Sequence, residues 1–429
     1  MVKKIYTLES IPKIEGHLNF TVIVEDNKVV KAQAEALEGV RLLERLLIGK
    51  KYYEIPDITS RMCGVCQAIH KVTAVQAVEK ALDIQLPETL NMLRELVVIG
   101  GHLQSHILHL YAFVLPDFLG YKSIIDMLPK HKKTIKKIFM LKKLANNITE
   151  IIGGRAVHPI TPIVGGFSRL PSRHELEITL NQAKEFKRHV NEIAELILSI
   201  EMPKLERKTK YVSLYNGKDI PLLSGSVKIY NELVFNPEEY EQYLESITET
   251  YSMARHYLIK TGKEPYMVGA LARLNNNHAY LSDAAKELAK KYSVKFPSYS
   301  TFDNNKAQAL ELVHYIEKAM EINETLLDNI PRVGRVKYKI KEGNGVSITE
   351  APRGLLIHHY KVDANGNIQE ANIVTPTAQN YKNMEADATA YLPQIIINKK
   401  KEEIEFELEK LIRAYDPCVS CSARFYREH

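Results

Sequence analysis

The chain has 429 residues, 45% of them hydrophobic and 26% charged, an ordinary globular composition long enough for a sizeable core and, by length alone, two or three domains. Basic residues exceed acidic ones by only six and alternate with them along apparent helices as on solvated faces, so no nucleic-acid partner is implied. Four cysteines cannot scaffold a chain this size, residues 1–16 lack the apolar run of an export signal, and no stretch reaches about 18 uncharged apolar residues, so no membrane span is expected.

Along the chain, residues 6–34 alternate apolar and polar side chains around a Glu25-Asp26-Asn27 turn, which predicts a small β-hairpin. From 39 to 53 the pattern becomes helical. Apolar residues at three- and four-residue steps then predict helices over 69–82, 89–114, 132–151, 173–205, 237–261, 282–292 and 304–329. A strand-rich stretch over 336–374 surrounds the turn 363–367, and a last long helix is predicted over 379–415. The strand-rich pieces come from opposite ends of the helical body. The expected fold is therefore mainly α with small β elements (α+β), one domain over residues 1–424.

Every cysteine belongs to a C-x-x-C pair: Cys63 with Cys66, and Cys418 with Cys421. Such a turn brings two thiolates close enough to share one soft or borderline metal ion, and two pairs supply four sulfurs. A structural zinc site would place its pairs about 15–20 residues apart, whereas Cys66 and Cys418 are separated by 352 positions. A thioredoxin-like dithiol needs one pair in a βαβ context that is missing. A four-cysteine iron–sulfur cluster satisfies the ligand count. So does a catalytic metal held between the two ends of the fold.

The first pair lies in Arg61-Met62-Cys63-Gly64-Val65-Cys66-Gln67-Ala68-Ile69-His70 and the second in Asp416-Pro417-Cys418-Val419-Ser420-Cys421. With Ile14-Glu15-Gly16-His17, Ala351-Pro352-Arg353-Gly354 and Thr375-Pro376-Thr377 through Asn380, these segments resemble the large subunit of [NiFe] hydrogenases over the whole chain. The likeness is greatest to the cytoplasmic branch of sulfhydrogenases and cofactor-coupled enzymes.

That resemblance implies nickel bound by all four thiolates, with Cys63 and Cys418 terminal and Cys66 and Cys421 bridging to an iron that carries carbon monoxide and cyanide. It implies Cys418 as proton acceptor when hydrogen is split, Glu15 as the carboxylate that passes the proton on, and Arg353 over the open metal position, paired with Asp416. Thr377 matches a hydroxyl donor to cyanide, Pro376 a pocket wall, and His70 a donor toward a bridging sulfur. Where many relatives keep an aspartate beside the second histidine of the next helix, this chain has Ser105. A third hard ion, magnesium or a further iron, would sit on Glu44 and on a histidine three residues beyond the last cysteine. Here that position is Arg424, which cannot ligate a cation, so a Glu44–Arg424 salt bridge is the expected substitute.

The family is trimmed by a maturation protease after nickel insertion by accessory proteins, which predicts cleavage after Arg424 and loss of 425–429. All four thiolates are used and no strand-bound glycine-rich fingerprint is evident, so electrons are expected to leave through an iron–sulfur small subunit and further electron-transfer subunits. A cytoplasmic location follows from the resemblance. Two rivals predict different residues: a non-catalytic scaffold of the same fold in a quinone-reducing respiratory complex would lack the cysteines, and a metal-stabilised interaction protein would not need Glu15, Arg353 and Thr377.

Overall fold

The computed structural model describes residues 3–26, 28–37, 43–397 and 399–421. Helix α1 (Gln67–Ala81) leads into a bundle of four long helices: α2 (Glu88–Ile107), α3 (Leu128–Gly153), α4 (Arg173–Leu198) and α5 (Asp303–Asp328). Each packs on the next and α5 closes back on α2. The apolar spacing makes this possible. In α3 the buried residues are Ile135, Ile138, Leu141, Ala145, Ile148 and Ile152, and in α4 Leu176, Ala183, Phe186, Val190, Ile193 and Ile197, one stripe each. Helix α4 starts on a capping box, Ser172 accepting from the Glu175 amide while Glu175 reaches back.

The segment Glu88–Phe118 is long and apolar enough by composition to cross a membrane, yet 83% of its most apolar window is buried inside the bundle, as in a core helix. Beyond Ile107 the helix widens into a π-helical stretch, Leu108–Val114, ahead of Pro116, which has no N–H for the Ala112 carbonyl.

Two three-stranded sheets flank the bundle. At the N-terminus Lys3–Leu8, Leu18–Glu25 and Lys28–Ala36 form an antiparallel sheet, with Leu8 facing Phe20 and Leu18 facing Ala36; Leu18, Phe20, Val22 and Val24 point into the core. The sequence pattern had implied two strands, and Lys3–Leu8 adds a third. Near the other end Gly343–Ala351, Gly354–Val362 and Ile368–Val374 pair antiparallel, the first two joined tightly at Pro352-Arg353. Helix α1 lies across this sheet. Two helices complete the chain, α6 (Pro376–Ile395) and α7 (Lys401–Ala414).

Some of these expectations change. The single helix over 379–415 is two, because Pro393 leaves the Thr389 carbonyl without its helical donor and α6 ends two residues later; α7 restarts with Glu403 reaching back to the Lys400 amide. The helix over 237–261 is a 3-10 turn and one helical turn followed by an antiparallel hairpin, Leu244–Thr248 with Arg255–Ile259. Its apolar residues satisfied helical spacing, but Leu244, Tyr257 and Ile259 bury into a second core built with the neighbouring sheets. Residues 206–235, where the sequence pattern predicts no element, hold three strands of a four-stranded sheet, Lys210–Tyr215, Ser226–Ile229 and Leu233–Phe235, extended by Tyr266–Met267 parallel to the first.

Candidate metal centre

The first cysteine pair lies between the short helix Ile55–Ser60 and α1, and the second just after α7. The Cys66 carbonyl accepts from the Ile69 and His70 amides at 3.1 Å each, so the pair is anchored to the start of α1. Asp416, at φ +53°, turns the chain away from α7 towards Cys418. Backbone bonds join this turn to the N-terminal segment. The Glu15 N–H donates to the Pro417 carbonyl at 3.3 Å, and the Val419 N–H to the Glu15 carbonyl at 2.8 Å. Gly16 (φ +81°) makes the approach possible: a Cβ there would lie 2.9 Å from both the Ser420 nitrogen and Val419 Cβ.

The four sulfurs converge to within 4.8 Å of one another, and all four residues are buried. Cys63 Sγ is 3.2 Å from Cys418 Sγ, Cys66 Sγ is 3.2 Å from Cys421 Sγ, and Cys418 Sγ is 2.9 Å from Cys421 Sγ. Burial pushes the Cys418 and Cys421 thiols well above their usual range, while hydrogen bonds from Cys418, Cys421 and Cys63 hold Cys66 well below it. The protein alone therefore does not stabilise four thiolates in this space. Bound cations of soft or borderline character do, and the donor set fits nickel and iron.

Around the sulfurs the chain builds a polar shell. Cys418 Sγ donates to Glu15 Oε2 at 3.0 Å, and the same oxygen accepts from the Ser420 amide at 3.2 Å; Ser420 Oγ donates to Glu15 Oε1. Arg353, at the tight turn of the C-terminal sheet, is 3% exposed. Its Nε donates to the Asp416 carbonyl, its Nη2 donates to Asp416 Oδ1 at 2.8 Å, and its buried Nη1 has no partner among the described residues. Burial works against the guanidinium charge, but the Asp416 carboxylate and the Cys418, Cys63 and Cys66 sulfurs outweigh it and hold Arg353 well above its usual range. An unpartnered, charged, buried N–H beside four sulfurs is what a ligand on the metal side would satisfy.

Asp416 is held from behind. Gln308 Nε2, on α5, donates to Asp416 Oδ2 at 3.1 Å, and Gln308 Oε1 lies 2.6 Å from His109 Nδ1. His109 projects from the π-helical stretch, and its Nε2 lies 2.7 Å from the Arg413 carbonyl. Both His109 nitrogens thus face oxygen atoms, which ties the π-helical stretch to Gln308 and to the end of α7.

Thr377 stands in the first turn of α6 after Pro376. Its Oγ1 accepts from the Cys418 amide at 2.9 Å, which leaves its own hydroxyl hydrogen free to donate. His70 Nδ1 lies 3.1 Å from His358 Nε2, and His358 Nδ1 lies 2.6 Å from the Tyr360 hydroxyl. Burial, then the neighbouring His70, keeps His358 neutral well below its usual range. The tyrosine hydrogen needs an acceptor, so Tyr360 donates to His358 Nδ1 and His358 Nε2–H donates to His70 Nδ1. That order makes His70 carry its hydrogen on Nε2.

Glu44 lies apart from this cluster. Its Oε1 accepts from the Ile373 amide at 2.9 Å and its Oε2 is 3.6 Å from Arg255 of the 244–259 hairpin. Arg424 and the tail lie outside the described residues. Ser105 is buried, and its hydroxyl has no partner among the described residues. A further buried set, His102, His106 and Glu311, also converges. Arg273 already grips Glu311 there with Nε at 2.6 Å and Nη2 at 2.8 Å, so the set is an ion-pair network. Sequence reasoning did not single out Gln308, His109, His358 or Ser420. Ser420 alone carried a local signal, since it lies inside the second cysteine pair.

A family model described as nickel-dependent hydrogenase matches residues 41–140 and 226–424. Sulfhydrogenase 2 subunit alpha of Pyrococcus furiosus is 33% identical, over 99% of this chain and 100% of its own length. Sulfhydrogenase 1 subunit alpha of the same organism is 35% identical, over 98% of each. Among solved structures, an NAD+-reducing [NiFe]-hydrogenase in the H2-reduced state superposes with a TM-score of 0.89 at 25% identity, covering 98% of this chain and 99% of that one. A Ni-Fe-Se hydrogenase from D. vulgaris Hildenborough, at 21% identity and a TM-score of 0.78 over 99% of this chain and 100% of that one, shares the fold. With its four cysteines gathered at one buried centre, this chain belongs to the nickel-dependent hydrogenase family, as the catalytic large subunit that bears the Ni–Fe site.

Proposed function

We propose that this hydrogenase moves its proton through Cys418 and Glu15, with Arg353, Asp416, Thr377 and His70 shaping the metal pocket. The carrying observation is the 3.0 Å contact of Cys418 Sγ with a Glu15 carboxylate that Ser420 already holds in place. Cys63 and Cys418 would be terminal on nickel, Cys66 and Cys421 shared with iron. Bound nickel and iron, the latter carrying carbon monoxide and cyanide, supply the polarisation that splits hydrogen heterolytically. Cys418 then takes the proton on sulfur and passes it to Glu15 Oε2, whose geometry needs no rearrangement. Arg353 Nη1 and the Thr377 hydroxyl donate into the dry pocket, Pro376 walls it, and Asp416 fixes the arginine fork. His70, with its hydrogen on Nε2, donates toward the Cys66 sulfur.

The chain is one subunit of a multisubunit enzyme that includes a small subunit. In our reading that partner carries iron–sulfur clusters and hands electrons to further subunits, which determine the acceptor. We also place the enzyme in the cytoplasm, on its likeness to the sulfhydrogenase branch. We assign nickel insertion to accessory proteins and the removal of 425–429 to a maturation protease, so the mass of the nickel-loaded protein should end at Arg424; an intact His429 terminus refutes the trimming. The Glu44 contacts with Arg255 and Ile373 favour a structural role over a third metal, magnesium or iron.

Metal analysis with infrared spectroscopy of anaerobically purified enzyme tests the centre. Nickel and iron in equal amounts, with carbon monoxide and cyanide bands, are expected; zinc alone would sink the reading.

A further inference from the structure

Lysines are unevenly placed along this chain. Between Leu119 and Lys143 stand eight lysines, no arginine and one acidic residue, Asp126, a net charge of +7 within a chain whose total is +6. Everything outside that segment is therefore close to neutral, at −1. Most of these lysines lie on α3, whose buried face (Ile135, Ile138, Leu141, Ala145) is spent on the bundle. On the opposite face Lys132, Lys136, Phe139 and Lys143 recur at steps of four, three and four, one line along a helix, and all are exposed. Among the described residues no carboxylate pairs with Lys132, Lys133, Lys136 or Lys143; Lys137, to one side, reaches Glu192. Phe139, in the middle of the line, is 60% exposed.

We propose that this face of α3 docks the enzyme on an anionic lipid surface. A row of cations meets the negative headgroups, and Phe139, exposed within that row, reaches the headgroup–acyl boundary. An acidic protein is the other chemistry that could cover such a face. The side-chain choice disfavours it: protein interfaces are enriched in arginine, whose planar fork pairs carboxylates, and depleted in lysine, and this face has lysine alone. Free lysines that keep their hydration and mobility suit a fluid, charged surface. The attachment is peripheral and reversible, and it falls as salt screens the surface.

Co-sedimentation of the complete enzyme with vesicles tests this, using phosphatidylcholine alone and phosphatidylcholine mixed with phosphatidylglycerol. Binding is expected only to the mixed vesicles and should weaken with added salt. Lys132→Gln, Lys136→Gln and Lys143→Gln together should lower the partition coefficient about 100-fold, whereas the same three positions changed to arginine should retain it. Phe139→Ser should lower it roughly 10-fold. Hydrogen oxidation with a soluble dye should be unchanged in every variant, showing intact folding. Equal binding to both vesicle types, or full binding by the glutamine variant, would overturn the proposal. So would the glutamine variant losing an acidic subunit from the complex without any vesicle binding by the parent enzyme.

Discussion

Replacing Gly16 by alanine tests how the two ends of the chain meet. Two costs add. A residue with a Cβ at φ +81° pays roughly 1–2 kcal/mol for the left-handed backbone. The new Cβ would also sit 2.9 Å from the Ser420 nitrogen and from Val419 Cβ, inside van der Waals contact with backbone on one side, so the N-terminal segment must back away by about half an ångström or more. That overpacking adds roughly 1–3 kcal/mol. The displacement falls directly on the 3.0 Å contact between Glu15 Oε2 and Cys418 Sγ, where an ångström of misplacement costs about 100-fold in rate. Gly49→Ala is the control: its φ is +79°, but nothing lies within 4 Å of the added Cβ, so only the backbone cost applies. Three readings should move together in Gly16→Ala, namely lower thermal stability than Gly49→Ala, faster hydrogen exchange of the Val419 amide, and slower hydrogen turnover at unchanged nickel and iron content. Wild-type exchange at Val419 with wild-type turnover would refute the reasoning.

Glu15→Gln keeps an acceptor for the Ser420 amide but removes the proton-carrying carboxylate, so turnover should fall roughly 10²–10⁴-fold with metal content intact; retained hydrogen–deuterium exchange would contradict the role. Asp416→Ala leaves the Arg353 guanidinium buried without its carboxylate and should cost about 3–5 kcal/mol, read by denaturant titration, whereas Asp416→Asn should cost less. Glu350, pushed up to about 7 by burial despite Arg273 at 2.9 Å, gives a pH signature. Its folded value lies above its ordinary 4.5, so its contribution to stability is present below about pH 4.5 and is lost as pH rises toward 7. A thermal-melting series should show that decline in the parent and a flatter profile in Glu350→Gln; identical slopes would count against a protonated Glu350.

The four cysteines could be read from the sequence because ligand chemistry is local: a C-x-x-C turn announces two sulfurs wherever it folds. Glu15, Arg353 and Thr377 stood out only through the short phrases around them, since a lone Glu-Gly or Pro-Arg-Gly has many ordinary uses. The residues behind them could not be read. Gln308 reaches Asp416 from 108 positions away and His358 reaches His70 across 288, and nothing local distinguishes them from other polar residues on buried faces. The fold class, mainly helical with small sheets, was legible, but some individual elements were not, for the same reason. The long bundle helices show their own period, but the hairpin after Tyr243 and the short strands over 206–235 exist because distant partners pair with them, and Leu244 or Ile247 satisfies helical spacing equally well.

The join between Glu15 and Cys418 also dictates timing. Sulfurs that touch in the folded protein, Cys63 and Cys418, are made 355 residues apart. At about 5–20 residues per second of synthesis, a growing chain holds half of the ligand set for tens of seconds before the rest emerges. The four-sulfur pocket thus cannot close until the second cysteine pair has been made. Closure requires the last stretch to dock beside the N-terminal segment through the Glu15 bonds to Pro417 and Val419. Until then the thiols remain reachable, and that interval is the window in which metals can be delivered without opening a finished core.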